Sequence, residues 1–269
     1  MAAQSLVRDS YIDPVATFST NVMGTVNILE AARSCSTVKA VLNITTDKCY
    51  ENKEWLWAYR ENEPMGGYDP YSSSKGCSEL VSSAYRRSFL QEAGIALATA
   101  RAGNVVGGGD WAKDRIIPDA MSAFMKKKIL QVRNPMATRP WQHVLEPLNG
   151  YLMLCQELVQ HPNEFADGWN FGPSDEYACP VSDLADIMVK SWGDNSQWQS
   201  DDGSHPHEAN YLKLDCSKAR VELKWKSIWT LNRTIDETVQ WYKAWYNKEN
   251  MREFTLNQIK SYQQEHLVQ

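Results

Sequence analysis

The 269-residue sequence lacks the patterns that mark a membrane or secreted protein. It has no apolar run of about 18 residues, so no membrane-spanning helix is predicted. Its N-terminus, "MAAQSLVRDSYIDP", has neither the basic nor the apolar region of a signal peptide. The cysteines form no C-x-x-C pair and no disulfide framework; they are Cys35, Cys49, Cys77, Cys155, Cys179 and Cys216. We therefore expect a soluble protein of the reducing cytoplasm with no membrane partner.

The sequence also lacks an excess of positive charge and a convincing set of metal ligands. Its net charge is −5 at pH 7, which argues against nucleic acid as a partner. His205, His207 and Glu208 lie close together, but no cysteine or third histidine is near them, so no metal site is predicted. Apolar residues make up 43% and charged residues 23%, an ordinary globular composition.

The first half of the chain alternates helix and strand patterns. Asp13 and Pro14 suit an N-cap and a first helical position, and a helix is predicted from there to about Ser34. Its apolar stripe is Val15, Phe18, Val22, Val26 and Leu29. "VKAVLNIT" is typical of a parallel strand buried on both faces. After a long loop, a second helix runs from Pro70 to about Gly94, before the strand "IALATARAGNVVG". We expect a βαβ unit in an α/β fold with a doubly wound parallel sheet.

The second half has a looser pattern, which predicts a smaller α/β lobe that closes over the first part. Short elements are predicted at "PDAMSAFMKK", "LQV", "EPLNGYLMLCQELVQ", "WNFG", "VSDLADIMVKSW" and "YLKLD". A terminal helix carries Ile235, Val239, Tyr242 and Tyr246. The length suits one large domain with such an appendage.

Polar residues gather at the end of the first predicted strand. "NITTDKCY" places a hydroxyl, a carboxylate and an amine side by side, on Thr46, Asp47 and Lys48. Ligands bind at the carboxyl ends of strands in open α/β sheets, so a site is predicted here; by spacing alone it could equally be a Thr-Asp turn with a solvated lysine. "YSSSK" puts Tyr71 and Lys75 on one helix face. An ammonium beside a phenol lowers the phenol pKa from about 10 toward neutrality, which favours Tyr71 as a general acid or base.

Longer stretches carry a resemblance that covers essentially the whole chain. They are "MAAQSLVRDSYIDPVATFSTNVMGTVNILEAAR", "TTDKCYENKEW", "ENEPMGGYDPYSSSKGCSELV", "RAGNVVGGGDWAKDRIIPD" and "RPWQHVLEPLNGYL". In them the sequence resembles the extended short-chain dehydrogenase/reductase family of NAD-dependent nucleotide-sugar epimerases and dehydratases. The resemblance implies a Rossmann-like fold, NAD as cofactor and a 4,6-dehydratase (hydro-lyase) activity. It further implies a homodimer through helices 14–34 and 71–93, and it suggests O-antigen dideoxysugar synthesis.

The resemblance also implies roles at the end of the strand. Tyr71 would take the proton of the sugar 4-hydroxyl, and Lys75 would hold the NAD ribose and lower the pKa of Tyr71. Asp47 would protonate the departing 6-hydroxyl, Lys48 would remove the C5 proton, and Thr46 would bond near the 4-hydroxyl. The related dTDP-glucose enzymes have a glutamate at the Lys48 position, so Lys48 marks the CDP-sugar branch, with CDP-glucose as the expected substrate. A lysine base needs a pKa depressed by burial or by a like charge such as Lys75.

Further contacts follow from the same resemblance. Ala2 and Ala3, together with Tyr71 and Lys75, would bind the cofactor. The substrate contacts would be Arg8, Asn104, Arg115, Arg139 and His207. Planar guanidinium groups suit a diphosphate, although by spacing alone the arginines could form surface ion pairs and Asn104 could be a turn residue. His143 is predicted to be structural.

One glycine-rich stretch only partly matches a dinucleotide-binding loop. "GGGDWA", Gly107 to Ala112, formally matches a dinucleotide-binding loop between a strand and a helix. About 20 residues on, "KKKILQVRN" lacks the acidic residue that such a loop requires. A tight turn on the substrate side is the better interpretation.

No G-x-x-G-x-x-G loop occurs near the N-terminus. The resemblance aligns "MAAQ" with the end of the family's fourth strand, so a first mononucleotide-binding half of roughly 80 to 90 residues is expected upstream. Residues 1–117 would be the rest of an NAD-binding Rossmann domain, incomplete at its N-terminus. Residues 118–269 would be mainly a nucleotide-sugar lobe, with segments that return to the first domain. We expect this chain alone to bind NAD weakly, to turn over poorly and to aggregate. The alternatives are another nucleotide-sugar epimerase or dehydratase, and a non-catalytic fragment that binds sugar nucleotides or dimerises.

Overall fold

The computed structural model describes residues 2–174, 177–201, 203 and 211–268. The chain divides into two compact units. The first comprises Met1–Gly103, Leu148–Gly172 and Leu212–Lys226, and the second comprises Asn104–Pro147, Pro173–Tyr211 and Ser227–Gln269. The division predicted at residue 117, between a cofactor domain and a substrate lobe, concerns function and stays a prediction.

Helices and strands are interspersed along the chain. The strands are β1 (Ala40–Ile44), β2 (Ala96–Ala102), β3 (Val105–Val106), β4 (Leu130–Val132), β5 (Thr138–Pro140), β6 (Gln142–His143), β7 (Gly168–Phe171), β8 (Ala178–Pro180) and β9 (Trp198–Ser200). The α-helices are α1 (Val7–Ile12), α2 (Pro14–Phe18), α3 (Gly24–Arg33), α4 (Pro70–Tyr85), α5 (Ile116–Met125), α6 (Leu145–Gln160), α7 (Pro162–Phe165), α8 (Val181–Trp192), α9 (Ser217–Val221), α10 (Leu231–Tyr246) and α11 (Met251–Val268). The described residues also form two π-helical turns (Ser19–Met23 and Arg86–Leu90) and one 3₁₀ turn (Asp47–Cys49).

A parallel sheet of β1, β2 and β7, in that order, is the centre of the first unit. Helix α4 and the π-helical turn after it connect β1 to β2, which confirms the predicted βαβ unit. Six of the seven residues of β2 are buried. The five residues of β1 are only partly buried, so the expectation of a strand buried on both faces is wrong. The reason is that β1 lies at an edge of this sheet, with β2 as its neighbour among the described strands.

Side chains cover both faces of this sheet. Ala96, Ala98 and Ala100 of β2 belong to a large core cluster with residues of α6 and β7. Leu97, between two of these alanines, belongs instead to a smaller cluster with Leu29 of α3. Because alternate side chains of a strand point to opposite faces, helices pack on both sides, as a doubly wound sheet requires.

The two long helices of the first unit meet through buried polar residues. The predicted helix from Asp13 to about Ser34 is confirmed as α2, a π-helical turn and α3, but Val15 of its predicted apolar stripe is 77% exposed. Asn21 is buried and donates to the hydroxyl of Ser74 on α4 at 2.8 Å. Leu80 of α4 is 60% exposed. Small polar residues let the helices approach closely and bond, whereas Val15 and Leu80 face outward and Leu29 packs in the core.

The second unit is built from short strand pairs and helices. Strands β3 and β6 pair in parallel, as do β4 and β9, whereas β5 and β8 are antiparallel. Ile235, Val239 and Tyr242 of α10 are buried, and they pack with residues of α5 and α8 in one core cluster.

Two expectations for the C-terminal half need correction. Helix α11 was not predicted; among its described side chains only Gln258 and Tyr262 are buried, too few to give an apolar stripe. "YLKLD" forms no named strand, and Leu214 makes an isolated bridge with Tyr59. Across the described part of the chain, every helix is too short or too polar to span a bilayer.

Candidate active site

The Thr46–Lys48 segment lies directly beyond the carboxyl end of β1. Thr46 is extended and caps the 3₁₀ turn that follows, because its hydroxyl oxygen accepts the amide hydrogen of Lys48 at 3.4 Å. The same hydroxyl donates to Oδ1 of Asp47 at 2.9 Å. Thr46 and Asp47 are buried, whereas Lys48 is exposed. The structure therefore places a hydroxyl and an acid inside the first unit and the amine at its surface.

Tyr71 and Lys75 lie one turn apart at the start of α4. The helix begins there because Asp69 accepts the amide hydrogen of Ser72 at 2.9 Å and Pro70 occupies the first turn. Both Tyr71 and Lys75 are buried. The Lys75 ammonium donates to the carbonyl oxygen of Ile44, the last residue of β1, at 3.0 Å. Helix α4 also packs on the 3₁₀ turn, so the structure brings the two predicted motifs to one strand end.

Burial sets the electrostatics of Lys75. Desolvation lowers its pKa below the ordinary value, and the carboxylate of Glu79, one turn further along α4, opposes that shift. The buried Lys75 ammonium lies one helical turn from Tyr71, and it is suited to donate hydrogen bonds to sugar or ribose hydroxyls.

Gly103 is a functional candidate that the sequence interpretation missed. A Cβ added to Gly103 would overlap Oδ2 of Asp47, so the acid occupies the space beside this glycine. Gly103 follows β2 and Asp47 follows β1, and these strands are neighbours. The signal available in the sequence was a glycine at a strand end, in "RAGN", next to the strand that carries the predicted acid.

A buried ion pair behind the site was also missed. Arg101 of β2 holds Glu79 of α4 with two bonds, from Nε to Oε1 at 2.9 Å and from Nη2 to Oε2 at 2.8 Å. Both side chains are buried. Burial alone would raise the pKa of Glu79, but the bonds from Arg101 outweigh it and the pKa lies below its usual value. A lone Glu and Arg 22 positions apart carry no signal in the sequence.

The other predicted substrate residues of known position belong to several elements. Asn104 has a left-handed backbone (φ 50°), which asparagine tolerates better than most residues. Arg115 donates to Asp110 at 2.9 Å, and Arg139 donates to the carbonyl oxygen of Thr138 at 3.0 Å. These three lie in the second unit, whereas the partly buried Arg8 lies on α1 of the first.

Three further predictions concern the N-terminal alanines, His207 and the glycine-rich stretch. Ala2 and Ala3 are exposed residues before α1. His207 lies outside the described residues. The glycines of "GGGDWA" do not form an open cradle: a Cβ at Gly107 would meet Val144 at 2.7 Å, and one at Gly108 would overlap the ring of Trp241. Glycines that pack against neighbouring side chains favour a tight turn over a pyrophosphate-binding loop.

His143 is enclosed in the second unit. It is buried on β6, its Nδ1 accepts the amide hydrogen of Leu145 at 3.3 Å, and its ring lies 4.7 Å from that of Trp229. Burial lowers the pKa of His143 to about 3. These surroundings are typical of a structural histidine, and the structural role of His143 stays a prediction.

The family of the chain follows from comparison with known proteins. The family model described as GDP-mannose 4,6 dehydratase matches residues 1–238. The chain belongs to the GDP-mannose 4,6-dehydratase family. This membership confirms the predicted class of nucleotide-sugar dehydratases.

Individual members of the GDP-mannose 4,6-dehydratase family can be compared with this chain. A CDP-glucose 4,6-dehydratase of Salmonella typhimurium is 55% identical over 267 residues, which are 97% of this chain and 74% of the relative. A dTDP-glucose 4,6-dehydratase of Streptomyces antibioticus is 26% identical over 91% of this chain and 70% of its own length.

Solved structures confirm the α/β fold. The dTDP-glucose 4,6-dehydratase of Streptomyces venezuelae, solved with NAD and TYD bound, superposes with a TM-score of 0.79. The match covers 93% of this chain and 74% of that protein at 23% identity, so it speaks for the fold.

Proposed function

We propose that the chain carries the sugar-side chemistry that dehydrates CDP-glucose to CDP-4-dehydro-6-deoxyglucose. The observation that carries the proposal is the end of β1, where the buried Thr46–Asp47 pair lies against the helix that presents Tyr71 and Lys75. The choice of CDP-glucose rests on the 55% identity to the Salmonella dehydratase and on Lys48.

NAD is the cofactor that the fold family implies, and the residues present fit its nicotinamide ribose end. A buried ammonium on Lys75 and the phenol of Tyr71, both at the carboxyl end of β1, are suited to bond ribose hydroxyls. Ala2 and Ala3 are further proposed contacts. When bound, NAD would supply the hydride acceptor for the oxidation at C4 and the donor for C6.

The chain's own residues would move the protons. Tyr71 accepts the proton of the 4-hydroxyl, assisted by the positive charge of Lys75. Asp47 donates to the departing 6-hydroxyl, and Thr46, which already bonds Asp47, orients the acid and the 4-hydroxyl. Elimination across C5–C6 then needs a base on the other side of the bond.

Lys48 is the proposed base at C5. A lysine accepts a proton only when it is neutral, a state that burial or a nearby positive charge favours. Because Lys48 is exposed, the proposal requires the bound sugar to cover it. Arg8, Asn104, Arg115, Arg139 and His207 are the proposed contacts to the rest of the substrate.

The test is incubation of the purified chain with CDP-glucose and NAD, read by the absorbance of the 4-keto-6-deoxy product in alkali. Lys48→Ala and Tyr71→Phe should each reduce product by about 10²- to 10⁴-fold. The matched controls are Lys39→Ala, at the other end of β1, and Tyr85→Phe, at the last residue of α4, where the hydroxyl donates to Glu30; both should keep the wild-type yield of product. Product that persists in both test variants would contradict the proposed chemistry. Uptake of CDP without any product would favour a non-catalytic sugar-nucleotide-binding module.

The assembly and location are proposed with the function. The proposed assembly is a homodimer through helices 14–34 and 71–93, because these helices leave Val15, Ile28 and Leu80 more than half exposed. Its six cysteines are free thiols, which suits the reducing cytoplasm.

A further inference from the structure

The Glu79–Arg101 pair touches both ends of the short segment that carries the proposed acid and base. On one side, the Thr45 hydroxyl donates to Oε1 of Glu79. On the other side, Nη1 of Arg101 donates to the hydroxyl of Tyr50 at 2.6 Å, and that hydroxyl donates to Asn170 at 2.8 Å. Thr45 and Tyr50 are both buried, and they flank residues 46–49.

The segment between these two attachments is only weakly held by its own backbone. The amide hydrogens of Lys48, Cys49 and Tyr50 are each donated within the turn at 3.4 Å, near the limit for a hydrogen bond. The bonds to residues outside the turn are shorter: the amide of Thr45 donates to Ala100, and the carbonyl oxygen of Cys49 accepts from the amide of Gly66, both at 2.8 Å. The position of residues 46–49 therefore depends on contacts with residues outside the turn, those at Thr45 and Tyr50 among them.

The same pair also connects the segment to the helix with the other proposed catalytic groups. Glu79 lies one turn beyond Lys75 on α4, and Arg101 lies two residues before Gly103, beside which Asp47 sits. Thr99 of β2 donates to Oε2 of Glu79 at 2.7 Å, so the carboxylate joins the end of β1, the middle of β2 and α4.

We infer that the Glu79–Arg101 pair is a clamp that fixes residues 46–49 against α4 and so sets the distance between Asp47 and Lys48 on one side and Tyr71 and Lys75 on the other. This inference rests on the proposed function for its catalytic meaning. Glu79 and Arg101 are positioning residues, acting through Thr45 and Tyr50. A displacement of about 1 Å in such a site is enough to reduce turnover by about a hundredfold.

Hydrogen exchange of the wild-type chain and five variants tests the clamp without any need for turnover. Thr45→Val and Tyr50→Phe each remove one hydroxyl attachment. We expect the amides of residues 46–50 to exchange at least about five- to tenfold faster in both, because loss of a single buried hydrogen bond already has that effect. The controls are Thr99→Val, which removes a bond to the same carboxylate from the middle of β2, and Tyr59→Phe, whose hydroxyl bonds Asn52 and the amide of Lys53 rather than the pair. Both controls should leave residues 46–50 at the wild-type rate.

The outcomes separate a clamp from general stability. Equal acceleration in Thr99→Val and Thr45→Val would overturn the inference, because the carboxylate would then matter only for overall packing. No acceleration in either Thr45→Val or Tyr50→Phe would overturn it too. Thr45→Ser keeps the hydroxyl and should restore the wild-type rate; failure to do so would show that the methyl group, not the bond, holds the turn.

A kinetic measurement adds the catalytic meaning. In Thr45→Val and Tyr50→Phe, kcat for the 4-keto-6-deoxy product should fall about tenfold or more while KM for CDP-glucose changes less than about twofold, because the groups that act in the transition state are displaced. Absence of product from the wild-type chain would count against the proposed function alone, since the exchange rates would still decide whether the clamp exists.

Discussion

The absence of a side chain at Gly103 leaves room for the Asp47 carboxylate. The backbone of Gly103 does not require glycine, because its φ is not in the left-handed region, but an added methyl group would overlap the Asp47 carboxylate. We expect Gly103→Ala to leave the fold intact and to reduce product formation at least tenfold, since the acid must move. Thermal unfolding checks the first part and the alkali assay the second. Wild-type turnover in Gly103→Ala would show that Asp47 is not the acid or that its position is not critical.

His143 gives a residue-level prediction about pH. Its pKa is about 3 in the folded chain against 6.5 for an ordinary histidine, so the unfolded state binds the proton first. The stability that His143 contributes is present above pH 6.5 and is lost as the pH falls below it. Between roughly pH 6 and 5 the free energy of unfolding should decrease by up to about 1.4 kcal/mol per pH unit.

Urea unfolding of wild type and His143→Asn, followed by tryptophan fluorescence at several pH values, isolates this effect. Asparagine keeps an acceptor for the amide of Leu145 but has no proton to bind, so the variant should lack the slope. The carboxylates that also titrate in acid are common to both proteins and cancel in the difference. Identical slopes would mean that His143 is accessible to protons in the folded chain.

At the scale of elements, substitution of two helical glycines by alanine should change the free energy of unfolding in opposite directions. Gly76 lies on α4 where a Cβ would meet the carbonyl oxygen of Gly66 at 2.6 Å. Gly24, at the start of α3, has open space around the same position. Gly24→Ala should stabilise by about 0.5–1 kcal/mol, because alanine is the better helix former. Gly76→Ala should destabilise by about 1–3 kcal/mol, because backbone must shift. Denaturant midpoints measure both, and a stabilising Gly76→Ala would contradict the close approach of α4 to the loop.

The exposed apolar faces of the long helices lead to a prediction at the scale of the whole molecule. If helices 14–34 and 71–93 form a homodimer, Leu80→Glu and Ile28→Glu should shift it to monomers, because a carboxylate would be buried in the interface. Leu152→Glu, at a comparably exposed leucine of α6, is the matched control and should leave the assembly unchanged. Sedimentation equilibrium distinguishes the states. A wild-type chain that is monomeric at high concentration would contradict the predicted dimer.

The sequence predicted much of the fold because its local signals were strong. The Asp13–Pro14 cap, the β-branched run before Thr45 and the alternation with α4 gave the βαβ unit that the structure confirms. Local periodicity failed where partners decide the outcome. Asn21 and Ser74 bond the two long helices to each other, whereas the predicted apolar stripe includes the exposed Val15.

For the candidate site, the sequence by itself determined which chemical groups are available and where along the chain they lie: Thr46, Asp47 and Lys48 after one strand, and Tyr71 and Lys75 on the first turns of the following helix. It could do so because consecutive residues and helical spacing are properties of the covalent chain. Only the tertiary structure decided that Asp47 sits beside Gly103 and that Glu79 and Arg101 hold both ends of its turn. Those contacts join residues that are distant in sequence, and burial away from water is what makes an ion pair between them specific.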